Sequence, residues 1–306
     1  MSQPHLEFQS LLQNTLPQVC RIAYQAGQII SEFYHQEDTV AIEQKSDGSP
    51  VTEADHAADA FIREQLALLT SSWPMVTEES VAEVRFEERQ QWSTYWLVDP
   101  LDGTKEFIHG SGEFSINIAL VHNQRPILGV VYGPEKGQLY FAVQEHPNMH
   151  FPQQHAGKMD VTTFAQPSSL DWSLCVHNAQ PLKVAASPAK RIASQQAMRV
   201  AVSRRHGGVL DDFMQALGVC ETVHMGSALK ACLVADGLAD IYPRFGPTSL
   251  WDTAASQCVL ECAGGALIDR DGQPLKYVQT ESLLNPFFMA VSDGHFAWPN
   301  FPEESR

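Results

Sequence analysis

The sequence predicts an α/β fold, in which a helix-plus-hairpin half precedes a half of alternating strands and helices. Three observations predict it: helical apolar spacing near the N-terminus, strand-like runs between residues 95 and 143, and strand–helix alternation from about residue 199. The 306 residues suffice for one large domain or two joined ones. We place the boundary near residue 150, between an N-terminal α+β half (1–150) and a C-terminal α/β half (151–306).

Two helices are predicted in the first 70 residues. Apolar residues from Leu12 to Phe33 recur at helical spacing, which predicts a first helix over most of residues 6–35. The polar loop 45–50 follows. Thr52 is the predicted N-cap of a second helix that runs to about Leu69, and Asp55 stands at the third helical position of a loose capping box.

Strands dominate the next segment. Apolar runs predict strands over 95–99, 115–122, 127–132 and 139–143, and the middle two form a hairpin across the turn residues 122–126. Residues 145–195 show little periodicity and are rich in Pro, Gln, His and Ser. This composition predicts a long irregular insertion with a short strand or two.

Strand and helix then alternate to the end of the chain. Strands are predicted over 199–203 and 239–242, and helices over 209–217, 227–236 and 250–262. Ser227 is the predicted N-cap of the helix that follows it, and Gly264-Gly265 the stop of the last one.

Composition excludes several classes of protein. The net charge of −16 makes a polymeric nucleic-acid binder improbable, because such proteins need a basic face. The six cysteines contain no C-x-x-C pair, which favours reduced buried thiols over a zinc site. With neither a secretory signal nor an apolar run of about 18 residues, the chain is expected to be soluble and cytoplasmic, with peripheral association at the inner membrane left open.

The segment D-P-L-D-G-T, residues 99–104, is the most informative motif. An apolar run ends there in Asp99 and Asp102, and carboxylates at a strand end can hold hard divalent cations. Pro100 forces a turn, and Gly103 lets backbone approach a ligand. Both aspartates could instead be ordinary turn residues.

Two further acidic elements strengthen the metal interpretation, although each has a structural alternative. Glu78-Glu79 follows the short apolar segment 73–76, yet adjacent glutamates are commonly a solvated pair. Asp252 falls in the first turn of the last helix, where the helix dipole alone favours an acid.

Together these motifs resemble the inositol monophosphatase superfamily. The sequence carries S-P-V-T-x-A-D (49–55), D-P-L-D-G-T (99–104) and W-D-x-A-A (251–255) in order, with the glutamate pair between the first two. The resemblance implies a layered α-β-α-β-α sandwich of the sugar-phosphatase type. The segments 105–107, 226–230 and 242–248 resemble the 3'(2'),5'-bisphosphate nucleotidase branch. Arg204-Arg205-His206 departs from that branch, which commonly reads Arg-Ser-His.

The resemblance implies a magnesium site of two or three ions. Glu78, Asp99 and the carbonyl of Leu101 would hold the first ion, and Asp99, Asp102 and Asp252 the second. Asp55 would serve a weaker third. Lithium sensitivity is expected with such a site.

The resemblance also assigns catalytic and substrate roles. Thr104, hydrogen-bonded to Asp55, would orient the attacking water. The residues expected to contact substrate are Gly103, Thr104, Ser203, Ser227, Lys230, Arg244 and Asp252. Lys230 and Arg244 are candidates for the substrate's second phosphate, with a plain surface cation as the alternative for each.

The implied activity is Mg²⁺-dependent removal of the 3'-phosphate from adenosine 3',5'-bisphosphate, extending to 3'-phosphoadenylyl sulfate. The alternatives are an inositol or sugar-phosphate monophosphatase, which changes only the pocket, and a non-catalytic phosphonucleotide or Mg²⁺ sensor. The expected partner is a small phosphate ester, with no polymeric nucleic acid and no transmembrane segment, and a homodimer is among the allowed assemblies.

Overall fold

The computed structural model describes residues 3–36, 42–44, 50–144, 155–164, 170–204 and 208–302. The loop residues 45–49 and the unusual pair Arg205-His206 therefore lie outside the described residues. The described helices are α1 (Gln3–Tyr34), α2 (Glu53–Leu69), α3 (Phe86–Arg89), α4 (Thr104–Ile108), α5 (Trp172–His177), α6 (Pro188–Ala193), α7 (Gly208–Leu217), α8 (Leu229–Ala235) and α9 (Leu250–Cys262).

The described strands are β1 (Ile42–Gln44), β2 (Pro50–Thr52), β3 (Met75–Thr77), β4 (Thr94–Asp102), β5 (Ser115–His122), β6 (Arg125–Gly133), β7 (Gln138–Val143), β8 (His155–Asp160), β9 (Gln180–Pro181), β10 (Met198–Val202), β11 (Cys220–His224), β12 (Ile241–Arg244), β13 (Ala266–Ile268) and β14 (Phe288–Val291). Short 3₁₀ turns cover Val81–Glu83, Pro134–Lys136 and Val161–Thr163.

Two large sheets organise the molecule. The first has seven strands in the order β3-β4-β5-β6-β7-β8-β9, antiparallel except for the parallel pair β3–β4. The second has five strands in the order β11-β10-β12-β14-β13, and its β10 pairs in parallel with both β11 and β12. The chain leaves the first sheet at Pro181 and enters the second at Met198. Strands β8 and β9 therefore extend the first sheet beyond residue 150. The division into domains at that residue stays a prediction.

Helices fill the spaces around both sheets. The buried apolar stripe of α1 packs with α2 on one face of the seven-stranded sheet. Helices α8 and α9 lie between the two sheets, and α7 covers the outer face of the second. This is the predicted α-β-α-β-α sandwich. Gly129 of β6 allows the close approach of α9, because a β-carbon there would collide with the carbonyl of Ala255.

Most predicted elements are confirmed, including both N-terminal helices, the 115–122/127–132 hairpin and helix 250–262. The Ser227 prediction is wrong, because Ser227 adopts a left-handed φ of 50° and Ala228 is the N-cap of α8. The predicted strand 239–242 is shifted to Ile241–Arg244.

The insertion holds the two short strands that were predicted, and also two helices that were not. Helix α5 packs on α1 through Trp172, whose ring lies 5.4 Å from that of Tyr24. Such a contact between distant segments leaves no periodic signal in a short helix.

Among the described residues, no helix has both the length and the apolar character needed to cross a bilayer. All six cysteines are free thiols, four of them buried, as the absence of paired spacing predicts.

Candidate active site

The irregular end of β4 positions the two aspartates of the D-P-L-D-G-T motif. Asp99 pairs with Asn117 and Asp102 with Ser115, and the register shifts between them. Pro100 lies within this irregularity and has no N–H to offer the ladder. Asp99 is buried, and its Oδ1 accepts a hydrogen bond from the Leu101 N–H over 3.0 Å. One extra residue of β4 between these two pairs thus forms a bulge that separates Asp99 from Asp102.

Asp102 links β4 to the second half of the chain. Its Oδ2 accepts hydrogen bonds from the Ala228 N–H (2.6 Å) and from Asn117 Nδ2 (3.3 Å). Gly103 follows with a φ of 94°, a left-handed conformation that glycine adopts without strain, and α4 begins at Thr104. The motif is therefore a strand end, a left-handed turn and a helix start within six residues.

Asp55 belongs to the capping box of α2. Its Oδ2 accepts from both the N–H (2.8 Å) and the hydroxyl (2.5 Å) of Thr52. Its Oδ1 accepts from the hydroxyl of Thr104 over 3.2 Å, which confirms the predicted contact between these residues. Thr104 Oγ1 also lies 3.4 Å from the Leu101 carbonyl oxygen.

Asp252 stands at the third position of α9, as Asp55 does in α2. Ser249 is the N-cap, and its N–H donates to Asp252 Oδ2 over 2.9 Å in a second capping box. The structural alternative for this aspartate is therefore realised, but it uses one carboxylate oxygen only. Asp252 also lines a cavity that Asp102 and Lys230 share.

Glu78 follows the end of β3, where its N–H donates to the Val98 carbonyl over 3.1 Å. Parallel pairing of β3 with β4 thus sets Glu78 beside the strand that carries Asp99. Behind it, the hydroxyls of Thr77 and Ser80 lie 2.7 Å apart in a buried turn. Glu78 and Glu79 are both half-buried at this position.

Burial and mutual repulsion raise the pKa values of three of these carboxyls. Burial raises the pKa of Asp55, and the negative charge of Glu78 adds to it. Burial likewise raises the pKa of Asp102. The pKa of Asp252 lies well above its ordinary range, first because of burial and then because of the negative charge of Asp102. Ionised carboxylates in such a site call for a compensating cation.

In the described part of the chain, no three carboxylate, imidazole or thiol groups lie close enough together to hold one ion. Asp102 and Asp252 border a cavity, and Asp55, Glu78 and Asp99 lie in the elements beside it. The donor set nevertheless suits a hard divalent ion, because it consists of carboxylate and carbonyl oxygens with buried negative charge.

The cavity has a volume of about 210 Å³ and joins both halves of the chain. Of the predicted site residues, its walls include Asp102, Gly103, Ser203, Ser227, Lys230, Arg244 and Asp252. Asp55, Glu78, Asp99, Leu101 and Thr104 do not line it; hydrogen bonds and strand pairing place them in the adjoining elements.

Lys230 is buried, so the surface-cation interpretation is wrong for it. Its Nζ donates to the Ser227 carbonyl over 2.7 Å and lies 5.1 Å from the ring centre of Tyr242. Burial lowers its pKa to about 8, against the opposing effect of the negative Asp102. Arg244 is half-buried, and its Nη2 donates to the Pro247 carbonyl over 3.0 Å.

Sequence analysis missed several residues of the cavity wall. These are Lys105, Glu106, Ala228, Ala231, Tyr242, Thr248, Thr253, Ser256 and Phe288. Lys105 and Glu106 directly follow Thr104, so the motif itself carried a signal for them. The others come from α8 and its N-cap, from the loop residue Thr248, and from α9, β12 and β14, and only the fold brings them to the site.

Comparisons with known proteins agree with this architecture. The model of the inositol monophosphatase family matches residues 11–293. The 3'(2'),5'-bisphosphate nucleotidase CysQ of Escherichia coli K12 is 40% identical over 274 residues, which cover 89% of this chain and 98% of that protein. The protein of the same name from Haemophilus influenzae is 36% identical over 290 residues, covering 94% and 97%.

Solved structures show the same fold. The crystal structure of CysQ from Bacteroides thetaiotaomicron matches with a TM-score of 0.73 at 31% identity, covering 92% of this chain and 98% of that one. A Thermotoga maritima IMPase matches with a TM-score of 0.65 at 20% identity over 90% of each chain, a likeness of fold alone. With a family model that spans nearly the whole chain and relatives at this identity, the protein belongs to the inositol monophosphatase family.

Proposed function

We propose that this protein is a Mg²⁺-dependent 3'(2'),5'-bisphosphate nucleotidase, which converts adenosine 3',5'-bisphosphate to AMP and phosphate. The relatives named for this activity match almost their whole length to this chain, and these matches support the assignment. The observation that carries the choice of substrate is a second cavity beside the one that Asp102 and Asp252 line.

This second cavity has a volume of about 330 Å³ and shares Ser203, Tyr242 and Arg244 with the first. Its remaining walls are largely apolar or backbone, contributed by Val202, Gly208, Val209, Leu210, Pro243, Phe245 and Gly246. A cavity lined by charged side chains, which shares Arg244 with a largely apolar one, suits a phosphorylated nucleoside, because its base needs an apolar surface and its phosphates need charge. An inositol phosphate has hydroxyls all round and gains little from such a surface.

Arg244 lies where the two cavities meet. Its Nε is buried and has no hydrogen-bond partner among the described residues. A buried guanidinium N–H without a partner is costly, and a phosphate oxygen is a strong acceptor for it. We therefore assign Arg244, together with the buried ammonium of Lys230, to the phosphate that is not cleaved.

The acidic residues suit the metal ions of this reaction. We assign Glu78, Asp99 and the Leu101 carbonyl to one Mg²⁺ and Asp99, Asp102 and Asp252 to a second. Asp55 is assigned to a weaker third. When bound, Mg²⁺ neutralises phosphoryl charge, activates water and stabilises the leaving oxygen.

The chain's own contribution is positioning. The Thr104 hydroxyl, held by Asp55 Oδ1, is oriented to hold the attacking water, and the N–H groups of Gly103 and Thr104 face the phosphoryl oxygens in this proposal. Ser203 and Ser227 add hydroxyls at the cavity wall. The fold provides the small phosphate ester with a site between the two halves.

The test compares hydrolysis of adenosine 3',5'-bisphosphate with that of myo-inositol 1-phosphate in Mg²⁺. We expect a higher kcat/KM for the nucleotide, and Arg244→Ala should lower it for the nucleotide by about ten- to a hundredfold while changing the monophosphate little. A preference for inositol phosphate that Arg244→Ala leaves unmoved would favour the monophosphatase alternative.

A further inference from the structure

The start of α9, which carries Asp252, is held from outside by a single amide side chain. Asn285 lies just before β14, and its Nδ2 is 2.5 Å from the Ser249 carbonyl oxygen. The same nitrogen lies 3.2 Å from Thr248 Oγ1 and 3.1 Å from Thr253 Oγ1. One side chain therefore contacts three residues of the segment 248–253, which includes the N-cap and the first turn of α9.

The orientation of this amide is fixed by its partners. A carbonyl oxygen only accepts hydrogen bonds, so the NH₂ group of Asn285 must face Ser249. Two amide hydrogens then serve three acceptors. Asn285 Oδ1 is buried and has no hydrogen-bond partner among the described residues. The contribution of this amide to the structure is therefore its N–H donors, because both are used while its acceptor has no partner.

The backbone of Asn285 is constrained as well. Its N–H donates to the Thr248 carbonyl over 2.8 Å, and the Leu250 N–H donates to the Leu283 carbonyl over 2.9 Å. Pro286 follows directly, and a residue before proline is confined largely to extended conformations. The side chain of Asn285 thus projects from a rigid segment.

The contacted carbonyl is the one that anchors Asp252. The Asp252 N–H donates to the Ser249 carbonyl over 3.1 Å, while the Ser249 N–H donates to Asp252 Oδ2 over 2.9 Å. Asn285 therefore holds the N-cap residue that fixes both the backbone and the carboxylate of Asp252. Thr253, the next residue, receives a further hydrogen bond from the Tyr277 hydroxyl over 3.1 Å.

We propose that Asn285 is a positioning residue, which holds the Asp252 carboxylate in the orientation that binds the divalent cation. This inference rests on the proposed function, because it needs Asp252 to be a cation ligand. Hydrogen-bonding partners of metal ligands commonly change metal affinity or activity ten- to a hundredfold when they are removed.

The experiment titrates Mg²⁺ onto the substrate-free protein by calorimetry and measures the Mg²⁺-dependent rise in unfolding temperature. Asn285→Ala removes the donor but leaves the backbone pairs of residues 283–285. Gln279→Ala is the matched control, since this amide lies on the same segment and bonds to Arg89, 3.0 Å away, rather than to α9. Both variants should lose stability.

We expect Asn285→Ala to weaken Mg²⁺ binding about tenfold or more and to raise the Mg²⁺ concentration needed for half-maximal activity equally, with a smaller loss of kcat at saturating Mg²⁺. Gln279→Ala should bind Mg²⁺ within about twofold of wild type. Asn285→Leu keeps the branched shape and loses the donor without adding a charge, so it should weaken binding too and serves if the alanine variant does not fold.

Mg²⁺ binding by either Asn285 variant at wild-type strength would overturn the positioning role alone, as would equal weakening in Gln279→Ala. If the wild-type protein itself binds no Mg²⁺, the proposed function fails, and this inference fails with it.

Discussion

The hydroxyl of Thr104 donates a hydrogen bond to Asp55 Oδ1, while Asp55 Oδ2 closes the capping box of α2 with Thr52. The two oxygens of one carboxylate thus have separate tasks, one in the helix start and one in the site. Asp252 divides its oxygens in the same way at the start of α9. Local helix capping therefore fixes two acidic side chains before any ligand binds.

Thr104→Val tests the role of this hydrogen bond, because it removes the hydroxyl and keeps the branched shape. We expect kcat to fall by about 10²–10⁴-fold, the range that a positioned proton acceptor and water-orienting group contributes. Thr104→Ser keeps the hydroxyl and should stay within about tenfold of wild type. Steady-state kinetics measure kcat for both variants, and circular dichroism checks that each is folded. A folded valine variant with serine-like activity would remove Thr104 from the mechanism.

Asp252→Asn should stabilise the metal-free protein while it abolishes activity. The folded-state pKa of Asp252 is raised above its unfolded value, so its contribution to stability is full at low pH and is lost as pH rises through the raised pKa. Asparagine does not ionise, and its carbonyl can still accept from Ser249. At neutral pH without Mg²⁺, the variant should unfold on the order of 2 °C higher than wild type.

The pH dependence separates this effect from a general change in packing. Near pH 3, roughly one unit below the pKa of an ordinary Asp carboxyl, that group is largely protonated in the folded and the unfolded protein, and the two unfolding temperatures should converge. Added Mg²⁺ should raise the unfolding temperature of wild type more than that of the variant. A wild-type protein that is the more stable of the two at neutral pH without metal would contradict the buried repulsion between Asp252 and Asp102.

Lys230 should cause kcat/KM to fall on the alkaline side of the pH profile, the alkaline limb. Burial lowers the pKa of this ammonium to about 8, so it is charged below that pH and neutral above it. If it binds an anionic phosphate, kcat/KM should fall as pH rises through about 8. Lys230→Met should lower kcat/KM at neutral pH and flatten this limb. An unchanged alkaline limb in the methionine variant would assign the titration to another group.

The amino acids that carry the site were predictable where the signal is local. Asp99 and Asp102 stand beside Pro100 and Gly103, which mark the end of a strand, and Thr52 and Asp55 form a capping box within four residues. Sequence patterns report such short-range geometry directly.

Signals that depend on distant residues were not predictable. Lys230 was open to interpretation as a surface cation, because its burial depends on Tyr242 and on the packing of α8 between the sheets. Ser227 has the side chain of a good N-cap, yet its left-handed backbone excludes that role. Asn285 meets Ser249 only because the backbone of Leu283 and Asn285 pairs with that of Leu250 and Thr248, a contact over 36 residues.

The contacts of Arg89, which contribute to stability, also depend on residues far away in the sequence. Arg89 is 4% exposed, and its guanidinium donates to Gln279 Oε1 (3.0 Å) and to the carbonyls of Thr280 (2.6 Å) and Glu281 (3.3 Å). Arg89→Met should cost about 3–5 kcal/mol in free energy of unfolding, because buried polar groups lose a charged donor.

Urea denaturation measures this cost. Arg85→Met is the control, since Arg85 is an exposed arginine just before the same helix and its replacement should change stability by less than about 0.5 kcal/mol. Equal midpoints for the two variants would show that the Arg89 contacts do not hold the segment 279–281.

The central claim is that this chain uses Mg²⁺ to remove the 3'-phosphate of a bisphosphate nucleotide, with Asp99 as a shared ligand. The most direct test follows adenosine 3',5'-bisphosphate by ³¹P NMR with wild type and Asp99→Asn, in Mg²⁺ and in chelator. We predict 5'-AMP and phosphate from wild type in Mg²⁺ alone, with turnover at least about 10³-fold lower in a folded Asp99→Asn protein. Turnover that persists in chelator, a product that retains the 3'-phosphate, or near-normal turnover by Asp99→Asn would contradict it.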